Sequence, residues 1–243
     1  MHHVIVPELD ADNLDLAIEG EQARHAVRVR RMEPGEPVVL IDGAGGRALA
    51  HVTGADKEGP QRSWRLLVRI EDLQRHPRPT PAVHVLCPAP KGDLLETMID
   101  QLSQVGATSW RPLETERSER EPRQGKMDRL ARIAEESAKQ CGRPWLLEIG
   151  PSISFSGALE LPGGLIAQAG APALARVSSD LVSDRRSTGI FVLVGPEGGF
   201  SEAERSMASE AGLIGVGLGP HVLRIGTAAV AAASVLVQLA TDG

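Results

Sequence analysis

A proline-rich stretch, His76-Pro77-Arg78-Pro79-Thr80-Pro81, constrains the fold more than any other feature of the chain. Repeated proline fixes φ and withholds backbone donors, so the stretch carries neither a helix nor a central strand and acts as a stiff connector. The hydrophobic rhythm differs on its two sides. Before it, short and partly alternating apolar runs such as Val38-Val39-Leu40-Ile41 and Trp64-Arg65-Leu66-Leu67-Val68-Arg69-Ile70 are divided by Gly and Pro turns. That pattern predicts a small β-barrel, interrupted by a short helix between Gly20 and Met32 that carries Arg24, Arg28 and Arg31. After it the chain reads strand, loop, helix. Val83–Cys87 is a strand, and Asp93 caps a helix whose apolar positions are Leu94, Leu95, Met98, Ile99, Leu102 and Val105, ended by Gly106. A second helix runs from about Met127 to Gln140, and further strands fall at Trp145–Ile149, Leu165–Ala169, Ile190–Val194 and Leu213–Leu218. This alternation predicts an α/β domain with a mainly parallel sheet. The expected division is residues 1–75, a connector at 76–82 and a second domain at 83–243.

Composition narrows the chemistry. The net charge of −6 means that nucleic acid must be met by a local basic patch and not by a globally basic surface. Cys87 and Cys141 stand far apart with no CxxC pair, and the histidines include no HExxH helix, so a reduced, metal-free cytoplasmic protein is expected. The N-terminus lacks the basic and apolar regions of a signal peptide. Ile225–Thr241 is uncharged but short of the roughly 20 residues of a membrane span, and rich in Ala, Gly, Ser and Thr. A buried helix is the expectation there.

Two loops have the form of ligand sites. In Leu193-Val194-Gly195-Pro196-Glu197-Gly198-Gly199-Phe200-Ser201 a buried strand ends in a glycine-rich turn, and Ser201 with Glu204 forms a capping box that opens a helix. Ligands of open α/β sheets sit outside the carboxyl ends of strands, where such a loop lies. In Leu218-Gly219-Pro220-His221-Val222-Leu223-Arg224 another strand ends in a Gly-Pro turn, and Thr227 caps the Ala-rich helix that follows. Other glycine motifs fail on context. Gly215-x-Gly217 meets Pro220 where a third Gly is needed, and Gly43-x-Gly45 leads into a strand and not a helix. No P-loop and no GxSxG elbow occurs.

Four blocks together resemble the ribosomal RNA small subunit methyltransferase E family, the 16S rRNA uridine N3-methyltransferases of the knotted SPOUT class. They are Arg24-His25-Ala26-Val27-Arg28-Val29-Arg30 through Asp42-Gly43; Pro90-Lys91-Gly92-Asp93; Glu116-Arg117-Ser118; and Gly195–Ser201 with Leu218–Arg224. The resemblance implies an N-terminal PUA-like RNA-binding β-barrel, a SPOUT methyltransferase domain with a C-terminal trefoil knot, and a homodimer. It implies S-adenosylmethionine as cofactor, held by Leu193, Gly195, Pro196, Glu197, Gly198, Gly199, Leu218, Gly219, Pro220, Leu223 and Thr227. It implies 16S rRNA or the small ribosomal subunit as partner, met by Arg24, His25, Arg28, Arg30, Arg31, Lys91 and Arg117.

Because N3 of uracil carries a proton, the reaction needs an acid–base group and correct approach geometry. Arg224 is the expected electrostatic or positioning group and Glu197 the expected proton acceptor. The chain departs from the family where Gly226 replaces an acidic residue and where Gln101 and Gln104 replace a Lys and a Glu. Those departures keep two alternatives open: a SPOUT methyltransferase for another rRNA or tRNA nucleotide, and a non-catalytic RNA-binding assembly factor.

Overall fold

The computed structural model describes residues 1–58, 63–118, 122–176 and 189–241. Contacts divide the chain into one unit of Met1–Arg78 with Ala138–Leu146, and another of Pro79–Ser137 with Leu147–Gly243.

The first unit contains β1 (His2–Ile5), β2 (Asp15–Ile18), α1 (Gly20–Arg24), β3 (Pro37–Ile41), β4 (Gly46–Glu58) and β5 (Ser63–Arg75). They form a five-stranded sheet in the order β1-β3-β4-β5-β2, antiparallel except between β1 and β3. Alternate residues of β4 and β5, among them Ala48, Ala50, Val52, Leu66, Val68 and Ile70, point into one core with Val4, Val38 and Leu40. The predicted helix is shorter and wider than expected. After α1 the chain forms a π-helical turn at His25–Val29, with Arg30 N–H donating to His25 O at 3.0 Å. It then stops at Arg31, whose φ of 55° is left-handed. The β-branched Val27 and Val29 favour helix weakly, which fits the early change of pitch.

Trp145 does not begin a strand. Its indole N–H donates to the carbonyls of His76 (3.2 Å) and Pro77 (3.1 Å), while Leu146 N–H donates to Gly43 O at 3.0 Å. A proline-rich connector offers carbonyls with no ladder partner, and the indole takes them.

The second unit contains β6 (Val83–Cys87), α2 (Leu94–Gln104), β7 (Ser109–Glu114), α3 (Gln124–Cys141) as far as Ser137, β8 (Glu148–Ile149), β9 (Ile153–Ser154), α4 (Phe155–Leu159), β10 (Gly164–Ala167), β11 (Ile190–Leu193), α5 (Glu202–Glu210), β12 (Ile214–Val216) and α6 (Ile225–Thr241). The sheet order is β12-β10-β11-β6-β7-β8, with β9 paired to β7, and every pairing is parallel. Strand alternation sorts side chains into two cores. Val83, Val85, Cys87, Ile190 and Val192 pack with α2 and α6, while Leu86, Ile166 and Leu193 pack with Phe155, Phe200 and Ala208.

Two predicted caps differ from the structure. Asp93 occupies the N-cap of α2 without a side-chain cap bond. Helix α6 starts at Ile225, and Arg224 O accepts Ala228 N–H at 2.9 Å, so Thr227 lies inside the first turn and caps nothing. Burial of Ile225 at 4% exposure draws the start of the helix three residues earlier than the Thr signal suggests.

Candidate functional site

Because the strands of the second unit run parallel, the turns that follow β6, β7, β10, β11 and β12 all emerge at one end of the sheet. The turn after β11 is tied on every side. Val194 N–H donates to Leu86 O (2.9 Å) and Gly199 N–H to Pro196 O (2.8 Å), with Gly199 at φ +66°. Glu204, 7% exposed, spends both carboxylate oxygens on backbone amides. Its Oε2 accepts Ser201 N–H at 2.8 Å, completing the predicted capping box, and its Oε1 accepts Glu116 N–H at 2.8 Å from the turn after β7. Arg117 then donates to Gly198 O at 2.7 Å. The donor turn is itself fixed, since Thr115 N–H donates to Ser118 Oγ (2.9 Å) and Ser118 Oγ–H to Thr115 O (3.0 Å). At Gly195 an added Cβ would lie 3.1 Å from the Phe200 ring, so this residue also closes the turn by packing.

The turn after β12 is tied at its base only. Gly217 N–H donates to Pro172 O (2.7 Å) and Gly217 O accepts Leu174 N–H (2.8 Å). A Cβ on Gly217 would stand 2.5 Å from Ala171 O, so backbone meets backbone there and only glycine fits. Beyond it, among the described residues, the amides of Leu218, Gly219, Val222 and Leu223 have no backbone acceptor. Gly219 has φ +156° and nothing within 4 Å of a built Cβ, so the turn opens onto free space. Leu218 and Leu223 rest half-buried against the core, whereas Val222 is 85% exposed.

The structure distributes the expected site residues unevenly. Gly195, Pro196, Glu197, Gly198 and Gly199 share one turn and Leu218, Gly219, Pro220, Leu223 and Arg224 the other, both at the same sheet end. Leu193 is fully buried in the second core, so its side chain packs and does not line a site. Glu197 and Arg224 are exposed, and no hydrogen bond or ion pair joins them among the described residues. Thr227 is exposed in the first turn of α6. At Gly226 a Cβ would meet Met98 at an ordinary 3.6 Å, so a side chain is admissible there. Gln104 donates to Asp100 at 2.9 Å, one turn earlier on α2.

Of the basic residues, Lys91 is exposed after β6, and the exposed Arg117 is already engaged with Gly198. Arg24, His25, Arg28, Arg30 and Arg31 are exposed on the first unit. The His25 ring stacks on His2 at 5.8 Å. Burial, followed by Arg30, His25, Lys139 and His3, holds the His2 imidazole below its ordinary value, and each of those neighbours is basic. Sequence reasoning missed Glu204 as a link between turns and Lys139 as one of the basic groups around His2. The capping box signalled the first only in part, and nothing local signalled the second.

Known proteins point the same way. The RNA methyltransferase domain family matches residues 76–237, and the RNA methyltransferase PUA domain matches residues 18–61. The chain is 31% identical over 220 residues to the ribosomal RNA small subunit methyltransferase E of Synechocystis sp., covering 85% of this chain and 67% of that one. It is 27% identical over 232 residues to the protein of the same name from Bacillus subtilis, covering 90% and 88%. The crystal structure of a ribosomal RNA small subunit methyltransferase E from Neisseria gonorrhoeae, bound to S-adenosyl methionine, superposes with a TM-score of 0.81 at 26% identity over 98% of each chain. The chain thus belongs to the ribosomal RNA small subunit methyltransferase E family of RNA methyltransferases.

Proposed function

We propose that this chain methylates N3 of a uridine in 16S ribosomal RNA, using S-adenosylmethionine, in the cytoplasm. The observation that carries this reading is the open turn Leu218–Leu223, whose amides, without a backbone acceptor among the described residues, stand at the same sheet end as the braced turn Gly195–Gly199. The residues present fit the cofactor. Leu218 and Leu223 offer apolar wall to a purine, the free amides offer donors to its nitrogens and carboxylate, and Gly219 leaves the space unfilled. When bound, the cofactor supplies an electrophilic methyl group on a sulfonium, which needs no metal. The chain's own groups do the rest. Glu197, exposed and unpaired among the described residues, takes the N3 proton. Arg224, equally free, holds the uracil carbonyl oxygens and offsets the charge that develops on them.

The same reading assigns residues 1–75 to RNA binding and 83–243 to methyl transfer, joined at 76–82. The return of α6 from the edge strand β12 to pack on β6 and α2 supports a knotted C-terminus. Val222 and Leu94 remain exposed as large apolar side chains, in support of a homodimer that covers them. The test is mass spectrometry of 16S rRNA nucleosides from a deletion strain. The N3-methyluridine signal should vanish and return with the restored gene; a signal unchanged by deletion overturns the assignment.

A further inference from the structure

The chain is poor in aromatic residues, with three Trp, three Phe and no Tyr, and the structure occupies nearly all of them. Trp110 is fully buried and donates its N–H to Cys87 Sγ at 3.1 Å. Trp145 is held by the His76 and Pro77 carbonyls, with Arg78 over its ring. Phe155 and Phe200 are buried against each other, and Phe191 stacks on His84 at 4.5 Å. Trp64 is different. It lines an open groove of about 440 Å³ with Gly20, Glu21, Arg24 and Ser63. Part of its indole rests on the first unit's core, which fixes the ring, and the exposed Lys57 holds its ammonium over the ring, 4.5 Å from the centroid, a mobile contact that an incoming base has to displace. Among the described residues its N–H has no acceptor, and neither Glu21 nor Arg24 has an ionic partner. The nearby Arg65 is already neutralised by Asp56 and Glu58.

We infer that this groove is a subsite for one unpaired RNA base, which stacks on Trp64. The inference rests on the RNA-binding role proposed above and adds a base contact to a surface otherwise built for phosphates. An indole face accepts any base, and the groove's volume falls within the roughly 300–1,000 Å³ of ligand clefts. Glu21 accepts from an amino or imino N–H of the base, Ser63 offers a hydroxyl, and Arg24 at the rim meets the adjoining phosphate. A duplex keeps its bases stacked internally and has none to insert, so the subsite selects single-stranded or looped RNA.

The experiment titrates the full-length protein with an unstructured RNA oligonucleotide and with a duplex of the same length, over a range of salt. Trp64→Leu should bind the single strand roughly tenfold or more weakly and leave the duplex unchanged. Its salt slope should match that of the parent, because the lost contact is uncharged, whereas Arg24→Ala should flatten the slope by about one phosphate. Trp64→Phe, which keeps a ring, should stay within about threefold of the parent. A thermal melt and S-adenosylmethionine affinity at parental values show that Trp64→Leu is folded. If the parent binds the single strand and a folded Trp64→Leu binds it equally well, the subsite is overturned while the methyltransferase reading stands. If the parent binds no RNA at all, the RNA-binding reading itself falls, and the subsite with it.

Discussion

The two turns at the carboxyl end of the parallel sheet have similar glycine-rich sequences and opposite construction. The turn after β11 is closed: Glu204 staples it to the turn after β7, Arg117 holds Gly198, and Phe200 packs on Gly195. The turn after β12 is anchored at Gly217 and then left open, with an unfilled space at Gly219 and, among the described residues, amides without a backbone acceptor and an Arg224 without an ionic partner. One turn is rigid as it stands; under the proposed function the other is completed by the cofactor. Rigid donors avoid reorganisation when the ligand binds, and the open side admits it.

The largest break should come from the closed turn. Glu204→Ala leaves the Ser201 and Glu116 amides without their acceptor, which should cost about 2–4 kcal/mol of stability. Denaturant melting measures it, and an unchanged midpoint would mean that the staple contributes nothing. On the open turn the loss should be kinetic. Arg224→Ala should leave stability within about 0.5 kcal/mol of the parent, while methyl transfer slows about 100-fold. A variant that turns over normally removes Arg224 from the chemistry.

A smaller effect separates two readings of Arg117. Its bond to Gly198 O makes it a brace, so Arg117→Ala should weaken S-adenosylmethionine binding about tenfold, measured by calorimetry without RNA. The salt dependence of RNA binding should stay unchanged. The reverse pattern, intact cofactor affinity with a flatter salt slope, would return Arg117 to the RNA surface.

How much was legible in the sequence follows the reach of each interaction. The capping box at Ser201 and Glu204 spans three residues, and it formed as read. The Thr227 cap, an equally local signal, lost to the burial of Ile225. Leu193 is expected at the site through the family resemblance, and the strand's alternation turns its side chain into the core. Lys139 acts on His2 because Ala138–Leu146 groups with Met1–Arg78, a return that no periodicity announces.

The amino-acid sequence by itself determined the parts set by short-range chemistry. These are a β-rich first part and an α/β remainder, several of the strands and helices, and two glycine turns where strands end. Tertiary structure alone decided which turn is closed. Glu204 meets Glu116 across 88 positions, and Arg117 meets Gly198 across 81. Such pairings follow from the order of strands in the sheet, which places the ends of β7 and β11 on either side of β6. A hydrogen bond between residues so far apart is written in the packing of the layers between them and leaves no spacing for a linear pattern to show.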